Sequence, residues 1–241
     1  MKRFLSIFIV CLMAVGAFAA DMPRQGFGLQ IGYAQPTVRL NSPSIGYPKD
    51  SLVDVTRLHG FKVGFVYDGS FIKGFGASMG FNYTFAMDKS KWEPKYAVTK
   101  YPEVRDVKMY HQVEIFVDWQ YKFEIAKETY LMLFTGPTIQ YGILYNSHRD
   151  EREVDGTVKM NISQIDYYKT TNEDKHLRNF NVTWGVGAGF QYKRYFLRGG
   201  YDFGLINPYK NDQFTSIDNR NTRGRFDQWE IKLGVYLWYE D

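Results

Sequence analysis

Between residues 75 and 85 the chain reads Phe75-Gly76-Ala77-Ser78-Met79-Gly80-Phe81-Asn82-Tyr83-Thr84-Phe85, apolar at every odd position and Gly, Ser, Asn or Thr at every even one. A period of two belongs to a β-strand, whose successive side chains point to opposite faces. The same alternation recurs at 27–34, 61–67, 111–123, 130–145, 180–192, 195–205 and 229–239, which makes eight strands. Most run to about ten residues or more, the length a tilted strand needs to cross a bilayer. Strands of soluble sandwiches usually stop at about five or six.

The connections sharpen this reading. Strands two and three are joined by Asp68 to Phe71 and a few further residues, four and five by residues 124–129, and six and seven by Lys193-Arg194. The other four connections, near residues 36–58, 86–108, 146–179 and 206–227, are long. Short turns on one rim and long loops on the other are the pattern of outer-membrane barrels. The expected fold is all-β, an eight-stranded antiparallel transmembrane outer-membrane β-barrel, with both termini on the periplasmic rim. A soluble barrel of the lipocalin type is the alternative.

Composition excludes the other membrane class. Mean hydropathy is −0.39 although 18% of residues are aromatic, and the one uninterrupted apolar run, residues 4–15, is too short for a permanent helical anchor. It follows Lys2 and Arg3 and precedes Ala17-Phe18-Ala19, so residues 1–19 read as a secretory signal peptide and 20–241 as the barrel domain. The single cysteine, Cys11, lies in that leader, leaving no thiol chemistry to the mature chain. Loss of Lys2 and Arg3 takes the formal net charge from +4 to +2 and gives no case for nucleic acid.

The two strand faces differ in chemistry. Tyr33, Tyr67, Tyr83, Tyr121, Tyr145, Tyr192, Trp229 and Tyr239 fall near strand ends on the apolar face, as expected of interfacial girdles. The opposite face carries small residues and eight charges: Lys62, Lys122, Arg198 and Lys232 against Glu114, Asp118, Asp202 and Glu230. The lumen of eight strands is just wide enough to be filled by side chains. These residues are therefore expected to form a lumen charge network that fixes register and closes the barrel, with Arg198 serving Asp202 or Glu230. Pro137, preceded by Gly136, is expected to mark a bulge, since proline removes a ladder donor.

Catalytic signatures are sparse. The sequence has no phosphate-binding glycine loop, no His-Glu-x-x-His and no Cys/His metal spacing. Among His59, His111, His148 and His176, only His148 has a same-face acid nearby, Asp150, and no nucleophile stands beside that pair. The expectation is a non-enzyme without cofactor, metal or small-molecule substrate. Its partners are outer-membrane lipid and lipopolysaccharide and, if it serves export, secretion-machinery proteins. Asp50-Ser51-Leu52 fits a short O-glycosylation pattern, and Arg220-Asn221-Thr222-Arg223-Gly224-Arg225 could meet lipopolysaccharide phosphates.

The leader, the opening Gly26-Phe27-Gly28-Leu29-Gln30-Ile31-Gly32 and the closing aromatic strand together resemble the small outer-membrane β-barrel proteins of Bacteroidota, and within them the PorT-type family. The resemblance covers nearly the whole mature chain and implies an eight-stranded barrel. It also implies an accessory role in protein secretion by the type IX system, for which the founding PorT proteins are needed. A structural or host-facing surface barrel, acting through its long loops, is the other function considered. The resemblance transfers no catalytic or binding residue. Here Tyr239 is followed by Glu240-Asp241, so the chain lacks the terminal aromatic residue on which many outer-membrane proteins end.

Overall fold

The alternating segments pair antiparallel with their neighbours in sequence and close on themselves. The computed structural model describes residues 24–41, 53–72, 74–96, 99–168, 177–208 and 224–240. It contains β1 (Arg24–Asn41), β2 (Val53–Arg57), β3 (His59–Ile72), β4 (Phe75–Lys89), β5 (Glu93–Tyr96), β6 (Thr99–Ala126), β7 (Thr129–Arg152), β8 (Val158–Asp166), β9 (Phe180–Tyr192), β10 (Tyr195–Gly204) and β11 (Gly224–Glu240). Eight of these form the barrel in the order β1, β3, β4, β6, β7, β9, β10, β11, and β11 returns to β1. Closure leaves the barrel no free edge. The expected leader, residues 1–19, lies outside the described residues.

Long apolar side chains on the outside remain exposed: Leu29, Ile31, Val63, Phe65, Ile115, Leu133, Val186, Leu197, Ile231 and Leu233 all face outward. A water-soluble barrel would bury such a set. The inward positions hold Gln30, Lys62, Asn82, Thr84, Gln112, Glu114 and Lys232, all buried. This polar-in, apolar-out arrangement is that of a barrel whose solvent is lipid.

Three regions expected to be loops continue as strand. β6 and β7 run far beyond a single bilayer crossing, pairing from Ala126↔Thr129 to Glu103↔Arg152. β5 adds to β6 and β8 adds to β7, so a four-stranded blade projects from the long-loop end. Its edges are blunted. β5 carries Pro94 and slips register beside it, and β8 slips where residues 160–162 pass Asp150. Both devices discourage pairing with another chain. At the other end the strands turn tightly through Gly74, Lys127-Glu128 and Lys193-Arg194, with positive φ at Gly74, Glu128 and Lys193. Asp68, expected in a turn, lies inside β3.

Bulges sit elsewhere than expected. Pro137 keeps register with Trp184 on one side, and on the other the β6–β7 ladder merely lapses at Val117 and Asp118 and resumes unshifted. The missing donor is thus accommodated by a gap in one ladder, not by an extra residue. The barrel slips fall beside the tight turns at Phe71 and Ile125, and farther along at Ile143, between the pairs His111↔Leu144 and Gln112↔Gly142, and at Leu237, between Phe27↔Trp238 and Gly28↔Tyr236. One extra residue exchanges the faces of everything beyond it. Tyr145 and Tyr239 therefore turn inward instead of joining the girdle. Tyr145 is buried in the lumen and Tyr239 stacks on Tyr236 at 5.1 Å.

Candidate functional site

The lumen is filled in layers. Nearest the tight turns, Val66, Phe116, Met132, Phe196 and Tyr236 form an apolar floor against which Tyr239 packs. Asp68 lies within it, accepting from Lys122 Nζ at 2.7 Å, from the Tyr236 hydroxyl at 2.5 Å and from the Gln120 amide. Lys122 also donates to Gln191 Oε1 at 2.9 Å. Above this, Arg198 donates to Asp118 Oδ2 at 2.7 Å and Ser78 Oγ at 2.9 Å, with its guanidinium 4.1 Å from the centre of the Phe134 ring.

The next layer gathers the remaining charges. Lys62 bridges Glu114, at 2.6 Å, and Glu230, and Glu230 also receives Lys232. Asp202 is buried near these groups but forms no hydrogen bond or ion pair among the described residues. Amides roof the cluster. Gln112 and Gln228 donate to Glu114 Oε1 at 2.5 and 2.9 Å, Gln30 donates to Asn82 at 2.6 Å, and Asn181 donates to Gln140 at 2.8 Å.

An aromatic cap closes the long-loop end. Tyr110, Tyr145, Tyr168, Leu177 and Phe226 pack there with Val38, Leu58 and Ala86, and Tyr167 stacks on Tyr145 at 4.4 Å. Tyr167 and Leu177 are tied in by backbone bonds, Tyr167 N to Tyr145 O and Leu177 N to Tyr167 O, both 2.9 Å. Between cap and amides is a cavity of about 10 Å³ lined by Tyr110, Gln112, Gln140 and Gln228, room for roughly one water. Among the described residues, charged and neutral layers alike are filled by buried side chains.

All eight sequence-selected residues lie inside the barrel, but their pairing differs from expectation. Arg198 serves Asp118, not Asp202 or Glu230: Asp202 is four residues along the same strand, about 13 Å away at strand rise, whereas Asp118 lies across the lumen. Lys122 leaves the others for Asp68, a fifth acid that the sequence reading placed in a turn. The signal was present: continuing the alternation Lys62, Gly64, Val66 by one step reaches Asp68. The amides were missed because neutral side chains on a polar face carry no charge pattern to follow.

The outer rim adds a second set of groups. Tyr33 and Tyr83 share 2.5 Å hydrogen bonds with His59 Nδ1 and His111 Nδ1 on neighbouring strands. The His111 contact runs across the β4–β6 ladder, where no pattern along its own strand points to it. On the blade, Arg105 pairs with Asp150 at 2.9 Å and Arg152 with Glu103, while both guanidiniums lie over Trp92 at 4.5 and 4.8 Å. At the blade tip the Thr157 amide holds the Asp155 carboxyl below its ordinary 3.8, and Glu153 raises the Lys159 ammonium above 10.5. His148 lies 3.7 Å from Asp150, which is already committed to Arg105. Among the described residues no three His, Cys, Asp or Glu side chains converge as a metal site. His176, Ser51 and residues 220–223 fall outside the described residues.

A closed antiparallel barrel with an apolar exterior and a packed polar lumen defines an integral outer-membrane barrel protein. The sequence agrees: residues 26–209 match the family described as "Outer membrane protein beta-barrel domain", and the chain belongs to that family. No curated protein matches it. Among solved structures it is similar to Ail, the attachment invasion locus protein of Yersinia pestis, crystallised with the heparin analogue sucrose octasulfate. That likeness has 12% identity, 89% of this chain and 99% of that chain covered, and a TM-score of 0.42. It is also similar to neisserial surface protein A, with 13% identity, 89% and 99% covered and a TM-score of 0.37. A third likeness is to the N-terminal barrel of Pseudomonas aeruginosa OprF, with 8% identity, 86% and 97% covered and a TM-score of 0.30. Likenesses this distant transfer no residue roles.

Proposed function

We propose that the protein is a non-enzymatic, non-conducting outer-membrane barrel that works by contact at the cell surface through its projecting blade, with both termini periplasmic. The observation that carries this reading is the asymmetry of the molecule. Among the described residues the lumen is filled by side chains between floor and cap, which supports a non-conducting barrel. Among the described residues the tight-turn rim offers only two-residue connections, while the opposite end carries a four-stranded sheet that extends beyond the other barrel strands. Binding surface is concentrated on one side.

An accessory role in protein secretion of the PorT kind is the second reading, favoured by the opening glycine-spaced strand and the closing aromatic strand. In that case secretion-machinery proteins are its partners. The tight-turn rim gives such partners little to hold on the periplasmic side, which favours the surface-binding reading. A deletion strain separates the two. Normal secretion of extracellular proteases with altered adhesion supports surface binding; loss of those proteases from the medium, restored by the intact gene, shifts the assignment to export.

A further inference from the structure

Two arginines face each other directly across the β1–β11 ladder, Arg39↔Arg225, on the outer face of the barrel. Like charges in directly opposed positions repel. One acid lies between them: Asp227 pairs with Arg225 at 2.7 Å and Arg39 at 3.5 Å and also accepts from Gly204 N at 3.0 Å, its own side chain fully buried beneath theirs. A third arginine joins from β2. Arg57 is opposite Thr37, which is itself opposite Asp227, so Arg57, Thr37 and Asp227 form one row and Arg39 and Arg225 stand in the next. Arg57 is exposed and has no ion pair among the described residues. Among the described residues three positive charges therefore meet one negative charge.

The depth of this cluster follows from the strands that carry it. Outward positions on β1 run Leu29, Ile31, Tyr33, Gln35, Thr37, Arg39, and on β11 Leu233, Ile231, Trp229, Asp227, Arg225. Each is a progression from apolar to aromatic to charged. Tyr33 and Trp229 contact at 5.0 Å, and Trp229 Nε1 donates to Gln35 at 2.7 Å, which marks the interfacial belt. The arginine rows begin two residues above Trp229, about 7 Å along the strand, within the headgroup layer and within reach of long snorkelling side chains. On the opposite wall, the blade pairs its arginines with acids one to one. The surplus is local to the β2–β1–β11 wall.

We infer that Arg39, Arg57 and Arg225 bind the phosphate monoester of an outer-leaflet lipid, of the kind carried by lipid A. Such a group has a charge of about −1.5 to −2 near neutral pH, which matches the surplus. Planar guanidiniums bind phosphate bidentately. Asp227 holds two of the three in place for the ligand. The inference rests on the orientation proposed above, in which this rim faces the outer leaflet. Its test uses purified protein, so its failure leaves the surface-binding and orientation experiments unaffected.

The test is native mass spectrometry of the barrel purified in detergent, incubated separately with bisphosphorylated lipid A, enzymatically dephosphorylated lipid A, phosphatidylglycerol and inorganic phosphate. Bisphosphorylated lipid A should be retained at least about tenfold better than its dephosphorylated form. Arg57→Gln, which strands no partner, should lower retention several-fold. The triple variant R39Q/D227N/R225Q, which removes two of the three guanidiniums without orphaning the acid, should abolish the preference while the barrel keeps its heat-dependent gel mobility. Lys159→Gln on the blade should change nothing. Equal retention by wild type and triple variant overturns the site. Phosphatidylglycerol retained as well as lipid A overturns the monoester assignment. Competition by inorganic phosphate as effective as by lipid A makes it a free-anion site and overturns the lipid assignment.

Discussion

Arg198 shows what a buried charge does in this barrel. Its guanidinium is spent on Asp118 and Ser78, and both carboxylate and guanidinium are shut off from water. Such pairs add little net stability, because desolvation offsets the Coulomb gain, but breaking one leaves an uncompensated charge. Arg198→Gln should lower unfolding stability by about 3–5 kcal/mol, read from urea titration of tryptophan fluorescence in lipid. The paired change R198M/D118L should recover most of that loss, and a double variant as unstable as the single would refute the pairing. At the exposed blade tip the linkage is different. The Thr157 amide depresses the Asp155 carboxyl, so its contribution is present above the unfolded value of 3.8 and is lost as pH falls through the lower folded value. Carboxyl carbon NMR should place its midpoint below 3.8; a midpoint above it contradicts the bond.

Strands β9 and β10 are where the two faces are most cleanly separated. Val186 faces outward, whereas a Cβ on Gly187 would lie 2.3 Å from Phe134 Cζ inside the lumen. Val186→Arg should therefore cost about 2–4 kcal/mol through burial of charge in hydrocarbon. Gly187→Leu should cost about 1–3 kcal/mol or more by overpacking. The two are distinguishable by medium, since only the arginine penalty should shrink when thin, hydrated micelles replace a bilayer. Equal penalties in both media would mean that Val186 does not face lipid. The blade follows a different logic. Its strands are extensions of β6 and β7, and residues past Ile143 keep their charge pairs because the bulge exchanges their faces.

For the molecule as a whole, an apolar floor, two layers of ion pairs, an amide roof and an aromatic cap fill the lumen among the described residues. In planar bilayers the purified protein should show no steady unitary conductance. A reproducible open channel would overturn both the sealed lumen and any role built on surface contact alone. Topology is checked independently. A cysteine replacing Lys159 on the blade should react with an impermeant maleimide on intact cells, and one replacing Lys193 in the tight turn should react only after permeabilisation. The reverse pattern would invert the barrel.

The barrel itself was legible in residue order because lipid and lumen demand opposite chemistries, and a period of two writes that demand directly into alternating residues such as Phe75 to Phe85. Strand number, closure and the inward placement of Lys62, Glu114, Arg198 and Glu230 all follow from that alternation. Three-dimensional pairing decided the rest. Whether Tyr145 and Tyr239 point to lipid or lumen depends on single extra residues at Ile143 and Leu237, and nothing local in those residues announces a bulge. That Arg198 meets Asp118, that Lys122 meets Asp68, and that Arg39 stands against Arg225 depends on strand register and on reach across the lumen. Alternation specifies a face, which is a property of one strand. A partner is a property of at least two strands and their stagger, and only the closed barrel sets that.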